Sequence, residues 1–280
     1  MSDHAAADRL AALVALSSGN ERADTLIRLT CARALALAPL PCLGYLPDDL
    51  SEAETVLVAF AEQFSTDVTG IGDNQRARFA ETWGADAFRV TVAVFIADFV
   101  PRVWAGCSAL GLGTPGRTDE VSIDHDTDPV EALLDGFVPA VARMRELDPV
   151  TTEVVRLRGA AAHNCRLCRS LREVHALDEG GSEQLYAQID DFERAADLTE
   201  AHKAALRYVD ALIWTPSQIG DDVVAGVRSN FSEKQSLELT LDVMRNAANK
   251  IAVSLGADAP RVAEGTERYE VDDAGQTIFA

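Results

Sequence analysis

Two stretches of the sequence decide its fold: DLSEAETVLVAFAEQFSTDVTGIGD at residues 49–73 and DLTEAHKAALRYVDALIWTPSQIGD at residues 197–221. They align without a gap at an offset of 148 residues, and a weaker match continues through 80–102 and 228–250. Each stretch places a hydroxyl residue, Ser51 or Thr199, where it can cap a helix ahead of an amphipathic run. Each ends in IGD, which indicates a turn. The alignment predicts an internal duplication of a helical domain, with the two copies sharing an interface.

The composition favours an all-α globular protein. Aromatic residues make up only 6% of the chain, hydrophobic residues make up 48%, and apolar positions often recur every three or four residues. A formal net charge of -20 argues against nucleic acid and anionic membranes as partners. The first residues lack a basic region before their short apolar run, so we expect a cytoplasmic protein.

Changes in composition along the chain divide it into four parts. We predict a degenerate helical repeat at 1–115, a linker at 116–130, a second repeat at 131–265 and a tail at 266–280. The linker region is rich in glycine and acidic residues. In the tail, RYEVDDAGQTIF alternates about a DDAG turn, which indicates a short hairpin.

A basic block precedes the second stretch and contains the one closely spaced cysteine pair. It reads EVVRLRGAAAHNCRLCRSLREVH at residues 153–175, with five arginines and no acid between Val154 and Arg172. Nearby positive charge and a helix N-terminus both favour thiolate over thiol. We therefore expect Cys165 and Cys168 to be reactive.

The same block predicts a helical hairpin. Thr151 or Thr152 is suited to cap the first helix, and His163-Asn164 is suited to the turn, since Asn tolerates left-handed geometry. A second helix would start near Cys165. That layout places Glu153 opposite Arg172, which lies one turn after Cys168, with His175 one turn further on the same face.

Here the residues resemble a known family. Eleven residues separate Glu153 from Cys165, and two separate Cys165 from Cys168. This spacing is similar to the motif of the alkylhydroperoxidase D-like branch of the carboxymuconolactone decarboxylase family. The flanking EVVRLR, ALRYVDAL and FSEKQSLELTL and the pair Asn249-Lys250 also look like that family. The resemblance covers about 131–258 and, more faintly, 45–112. The family motif continues with three residues and a histidine, and in this chain Arg172 stands at the histidine position.

The resemblance implies an all-α homo-oligomer that reduces hydroperoxides without a cofactor. Cys165 and Cys168 would cycle between dithiol and disulfide, and an external dithiol would reduce the disulfide. In the family, glutamate and histidine relay a proton, whereas Arg172 can only hold a thiolate by charge because its pKa is too high. The catalytic candidates are therefore Cys165, Cys168, Glu153, Arg172 and His175.

Which cysteine attacks is open. The helix start favours Cys165 as the exposed thiol facing the reductant, whereas the family relay favours Cys168 as the thiol that meets peroxide. The apolar run VTVAVFIADFV at 90–100 is a second reason to expect an oligomer, because it looks too apolar for one exposed face.

Other interpretations remain open. The protein could be a non-catalytic or ligand-binding oligomer with a degenerate site, or it could exchange thiols and disulfides without reducing peroxide. Glu153 could be a plain salt-bridge residue. A metal site formed by His163, the two cysteines and His175 is the least favoured alternative, and we expect no metal. Cys31, Cys42 and Cys107 are expected to fill core or loop positions.

Overall fold

The computed structural model describes residues 2–42, 44–45, 49–117 and 122–279, and it is mostly helical. This confirms the all-α prediction. The helices are α1 (Ser2–Ala15), α2 (Glu21–Leu35), α3 (Glu52–Thr66), α4 (Asp73–Trp83), α5 (Ala87–Ala109), α6 (Pro129–Glu131), α7 (Val138–Ala142), α8 (Pro149–Ala162), α9 (Arg166–Arg169), α10 (Val174–Asp178), α11 (Glu183–Tyr186), α12 (Glu200–Trp214), α13 (Asp221–Asn230), α14 (Glu233–Ala247) and α15 (Asn249–Ser254).

The two aligned stretches begin with the same local device. At α3, Ser51 Oγ accepts from the Glu54 N–H at 3.2 Å, and the Glu54 carboxylate accepts from the Ser51 N–H at 2.8 Å. At α12, Thr199 and His202 make the same reciprocal pair of bonds. Both predicted N-caps are therefore confirmed. Short 3₁₀ turns follow at 68–70 and 216–218, before α4 and α13 begin.

The larger hydrophobic core runs through both halves of the chain and includes most of α5, and a second, smaller cluster includes Val154, Phe192 and Leu206. Helices α1, α2, α3, α12, α14 and α15 pack against α5. Residues 90–100 are buried except for the half-buried Ala93. These residues are covered within one chain, so the argument that they require a second subunit was wrong.

One helical stretch in the described chain, 73–109, is long and apolar enough to span a membrane by length and composition. Its most apolar window is 89% buried inside the protein, so this stretch lies in the core. Of the predicted linker, residues 118–121 lie outside the described part. The rest is irregular until α6 begins.

A small sheet closes the second half. The predicted hairpin is confirmed: β2 (Glu267–Val271) pairs antiparallel with β3 (Thr277–Phe279). A further strand, β1 (Leu171–Glu173), pairs parallel with β2. We expected a helix at these residues. α9 ends at Arg169 instead, because the free edge of β2 supplies partners, starting with the bond from Glu267 N–H to the Ser170 carbonyl at 2.8 Å.

Candidate active site

The helix before the cysteines starts earlier than predicted. α8 begins after Asp148, whose carboxylate accepts the Thr151 N–H at 2.9 Å, so neither Thr151 nor Thr152 is the cap. Aspartate followed by Pro149 at the first helical position is a strong start signal. The predicted turn after α8 is confirmed, because Asn164 adopts a φ of 49°.

The turn brings the two cysteines together as a disulfide, with Cα atoms 5.4 Å apart. Cys165 is the N-cap of α9 and is fully buried, whereas Cys168 is half-buried. The Cys165 N–H bonds back to the Ala160 carbonyl at 2.9 Å, which draws Cys165 beneath α8. The expectation that Cys165 is the exposed thiol was therefore wrong, and Cys168 is the accessible one.

Glu153 and Arg172 do not meet. Arg172 donates two bonds to Glu183, at 2.7 and 2.8 Å, and stacks over the Tyr186 ring. Arg172 lies in β1, so it is not one helical turn after Cys168 as predicted. His175 lies in α10, with a largely exposed side chain whose Nδ1 is 2.8 Å from Glu173 Oε1. The predicted chain from Glu153 through Arg172 to the thiol is absent.

Glu153 is instead bound by Arg156, three residues along the same helix. Two N–H groups of Arg156 donate to the Glu153 carboxylate, both at 2.6 Å. Arg156 also donates to the carbonyls of Cys168, at 2.7 Å, and Leu171, at 2.8 Å. Burial opposes the guanidinium charge, but attraction to Glu153 outweighs it and leaves the Arg156 pKa above its ordinary value. This permanent cation anchors the segment that carries Cys168.

Cys168 lines a cavity of about 190 Å³, here named the thiol chamber. Its polar wall is formed by Arg156, Arg245, Asn246 and Asn249, and its roof is the β2–β3 hairpin. The hairpin packs closely, since an added Cβ at Gly275 would overlap the Pro139 carbonyl. The apolar wall is formed by Val138, Ala142, Leu171 and Val271.

A larger cavity of about 340 Å³, here named the acidic chamber, adjoins the thiol chamber. The two chambers share Ala142, Arg245, Tyr269 and Val271 as walls. The carboxylates that line the acidic chamber are Glu153, Glu173, Glu238, Asp242 and Asp273. The Cys168 site is thus next to a second, more acidic cavity.

Two acidic residues of α14 that the sequence analysis missed lie in the acidic chamber. Glu238 is buried and accepts the Glu146 N–H at 2.6 Å. Burial, with the neighbouring Asp242, raises the Glu238 pKa to about 7. Asp242 is also buried and pairs with Arg245 at 3.2 Å. The signal for this pair was an acid at positions i and i+4 within the otherwise apolar run LELTLDVM.

A second ionic cluster lies in the core and was also missed. Asp98 accepts from Arg102, at 2.8 and 3.0 Å, and from Lys250, at 2.6 Å, with all three side chains buried. Burial lowers the Lys250 pKa to about 8. The available signal was that Arg102 and Lys250 occupy equivalent positions, 148 residues apart.

His163 is hydrogen-bonded to the wall of the thiol chamber. Its Nδ1 is 3.0 Å from Oδ1 of Asn249, which lines the chamber, and burial lowers the His163 pKa well below its ordinary value. Within the described residues, no three His, Cys, Asp or Glu side chains are grouped to hold a metal ion. The four residues of the metal alternative are therefore not brought together.

Comparison with known proteins identifies relatives over almost the whole chain. An uncharacterized protein of Mycobacterium tuberculosis strain H37Rv, Rv2313c, is 57% identical over 275 residues, 97% of each chain. MT2376, from strain CDC 1551, matches with the same identity and coverage. This chain belongs to their family. No family model matches the chain. The mycobacterial relatives show which family the chain belongs to. Any inference about its chemistry depends on the residues of the candidate site.

Proposed function

We propose that the protein is a thiol-dependent redox enzyme of the alkylhydroperoxidase D-like type, acting on hydroperoxides through Cys165 and Cys168. One observation carries the proposal: Cys165 and Cys168 are paired as a disulfide, and Cys168 lines a cavity. A disulfide with one accessible cysteine is suited to cycling between dithiol and disulfide. The spacing of Glu153 and the two cysteines supports placement in the carboxymuconolactone decarboxylase family.

In this mechanism Cys168 attacks and Cys165 resolves. The Cys168 thiolate attacks the terminal oxygen of the hydroperoxide, the O–O bond breaks, and the departing alkoxide takes a proton from solvent to become an alcohol. The resulting Cys168 sulfenic acid condenses with the Cys165 thiol and releases water. An external dithiol then reduces the disulfide by attack at the accessible Cys168 sulfur. The exposure of the two cysteines supports these roles.

The proposal gives Glu153 and Arg156 a positioning role. Arg156 holds the carbonyls on either side of the turn that carries Cys168, and Glu153 holds Arg156. The charge of Arg156 on the chamber wall also favours a thiolate. Neither Arg172 nor His175 lines the thiol chamber, so they have no direct part in this mechanism; His175 lines the acidic chamber beside Glu173.

A second candidate is thiol–disulfide exchange without peroxide reduction. The observation that favours it is the separation of Glu153 from Arg172, which leaves the family's two relay positions unconnected. Disulfide exchange requires an accessible sulfur and a buried partner but no such relay.

The test is to oxidise the reduced protein with a small excess of cumene hydroperoxide and map the cysteines by mass. We expect fast formation of the Cys165–Cys168 disulfide. The Cys165→Ser variant should stop at a sulfenic acid on Cys168, which dimedone captures. The Cys168→Ser variant should leave Cys165 reduced, because Cys165 is buried.

The matched control is Cys107, buried in the core with a pKa raised by burial to about 12. Oxidation of Cys168 no faster than that of Cys107 would rule out the proposed enzyme. Disulfide turnover with dithiols but no consumption of peroxide would instead select the second candidate.

A further inference from the structure

The thiol chamber presents hydrogen-bond donors to whatever enters it. Among the described residues that line it, Arg156, Arg245, Asn246 and Asn249 carry N–H groups, and none is an aspartate or glutamate. This is unusual in a chain with a net charge of -20. Five carboxylates instead line the neighbouring acidic chamber. A carboxylate ligand would therefore meet no acidic side chain at the lining of the thiol chamber and five at the lining of the acidic chamber.

Asn246 supplies the most specific observation. Its Oδ1 is 3.4 Å from an Arg245 N–H, which orients the amide so that Nδ2 remains as a donor. Nδ2 is buried and has no hydrogen-bond partner within the described chain. A buried donor without an acceptor costs about 1–3 kcal/mol, which an oxygen ligand in the chamber would recover.

Arg245 is held in place by an ion pair that uses only part of its hydrogen-bonding capacity. Asp242 pairs with its Nε at 3.2 Å from the acidic side, which leaves the other end of the guanidinium beside Asn246. A guanidinium beside a primary amide can offer N–H groups of both side chains to the two oxygens of a carboxylate. The apolar side chains of Val138 and Leu171 on the wall would contact a hydrocarbon body.

We propose that the thiol chamber binds the carboxylate of an organic acid through Arg245 and Asn246, so that the substrate is a hydroperoxide that also carries a carboxylate. The proposal rests on the function assigned above. Both groups of the substrate must lie within one cavity of about 190 Å³, so the carboxylate and the O–O bond are separated by a short, apolar body. The carboxylate is bound but not chemically changed, and the redox step remains the attack of Cys168 on the O–O bond.

The test compares three hydroperoxides of one skeleton: cumene hydroperoxide, its para-carboxylate and the methyl ester of that acid. We expect kcat/KM for the acid to exceed that for the ester by about tenfold, because a charge-assisted pair of bonds is lost in the ester. In Asn246→Asp, which keeps the shape but adds a negative charge, the ratio should fall to about one. A ratio near one in the wild-type protein would overturn the proposal.

A second measurement separates this proposal from the proposed function. 4-Isopropylbenzoate has the acid and the apolar body but no O–O bond, and 4-isopropylbenzamide is its neutral control. The benzoate should slow the alkylation of reduced Cys168 in the wild-type protein and not in Asn246→Asp, and the benzamide should slow it in neither. If hydroperoxides are not consumed but this protection is seen, the enzyme proposal fails and the carboxylate site stands. If no protection is seen, the carboxylate site is refuted.

Discussion

In the sequence alignment at an offset of 148 residues Asp98 matches Asn246, and the surroundings of the two residues differ completely. Asp98 is buried in the core and binds two cations, Arg102 and Lys250. Asn246 has a buried amide N–H without a partner and lines a cavity. Arg102 and Lys250 are themselves equivalent positions, so cations from both halves share one carboxylate in the first half.

The backbone explains the difference. α5 continues unbroken through Pro101 and Arg102, whereas α14 ends at Ala247 and α15 begins at Asn249. The break turns Asn249 toward His163, while Lys250 reaches across to Asp98. In the first half, the carboxylate of Asp98 binds cations from both halves and so holds them together. In the second half, Asn246 and Asn249 instead line the cavity beside the thiols.

The largest expected effect comes from removing the charge of Asp98 in the core cluster. Asp98→Asn should lower the free energy of unfolding by about 3–5 kcal/mol, because two buried cations lose their counter-charge. Urea denaturation measures this loss. Asp210→Asn is the control: its pair with Arg158 is partly exposed, and its removal should cost at most about 1 kcal/mol. Equal losses of the free energy of unfolding in Asp98→Asn and Asp210→Asn would show that the core cluster stabilises the fold no more than the partly exposed pair does.

The next effect tests the buried ion pair beside the thiols. Glu153→Gln should cost about 2–3 kcal/mol, less than Asp98→Asn, because only one cation loses its counter-charge and Arg156 keeps two carbonyl acceptors. Denaturation of the oxidised protein measures the change. A larger loss than that of Asp98→Asn would contradict this ranking.

A pH-dependent effect is expected at Glu238, which faces Asp242, Arg145 and the Glu146 N–H. Its folded pKa of about 7 lies above the ordinary value of 4.5, so the fold favours the protonated acid. Stability is therefore lost as pH rises from about 4.5 through about 7, and the loss levels off once both states are ionised. Glu238→Gln keeps an acceptor and cannot ionise. Its stability relative to wild type should increase by about 2 kcal/mol between pH 4.5 and 8, measured by denaturation. A difference that does not vary with pH would refute this assignment.

The smallest expected effect is that of replacing Asn246, a residue on the wall of the thiol chamber. Asn246→Leu should raise the free energy of unfolding by about 1 kcal/mol, because relief of the unpaired buried donor outweighs loss of the long, weak bond from Arg245 to Asn246 Oδ1. The free energies of unfolding of Asn246→Leu and Asp98→Asn are compared in the same urea denaturation experiment. A loss as large as that of Asp98→Asn would mean that Asn246 has a structural role after all.

Local features were predictable from the sequence. The caps at Ser51 and Thr199, the turn at Asn164 and the C-terminal hairpin each depend on residues within a few positions of one another. The start of α8 was misplaced because aspartate and threonine compete for the same capping role. The strand β1 was missed because its partner lies about 96 residues further along the chain, beyond the reach of any local pattern.

By itself, the sequence determined a helical protein with two matching segments and a closely spaced cysteine pair, because hydrophobic periodicity and capping are local properties. Only the tertiary structure decided which charges meet: Glu153 with Arg156, Arg172 with Glu183, and Lys250 with Asp98. It also decided that Cys168 and not Cys165 is accessible. The physical reason is that ion pairs and exposure depend on distances in space, and a chain with 45 acidic and 25 basic side chains allows many pairings that spacing alone does not distinguish.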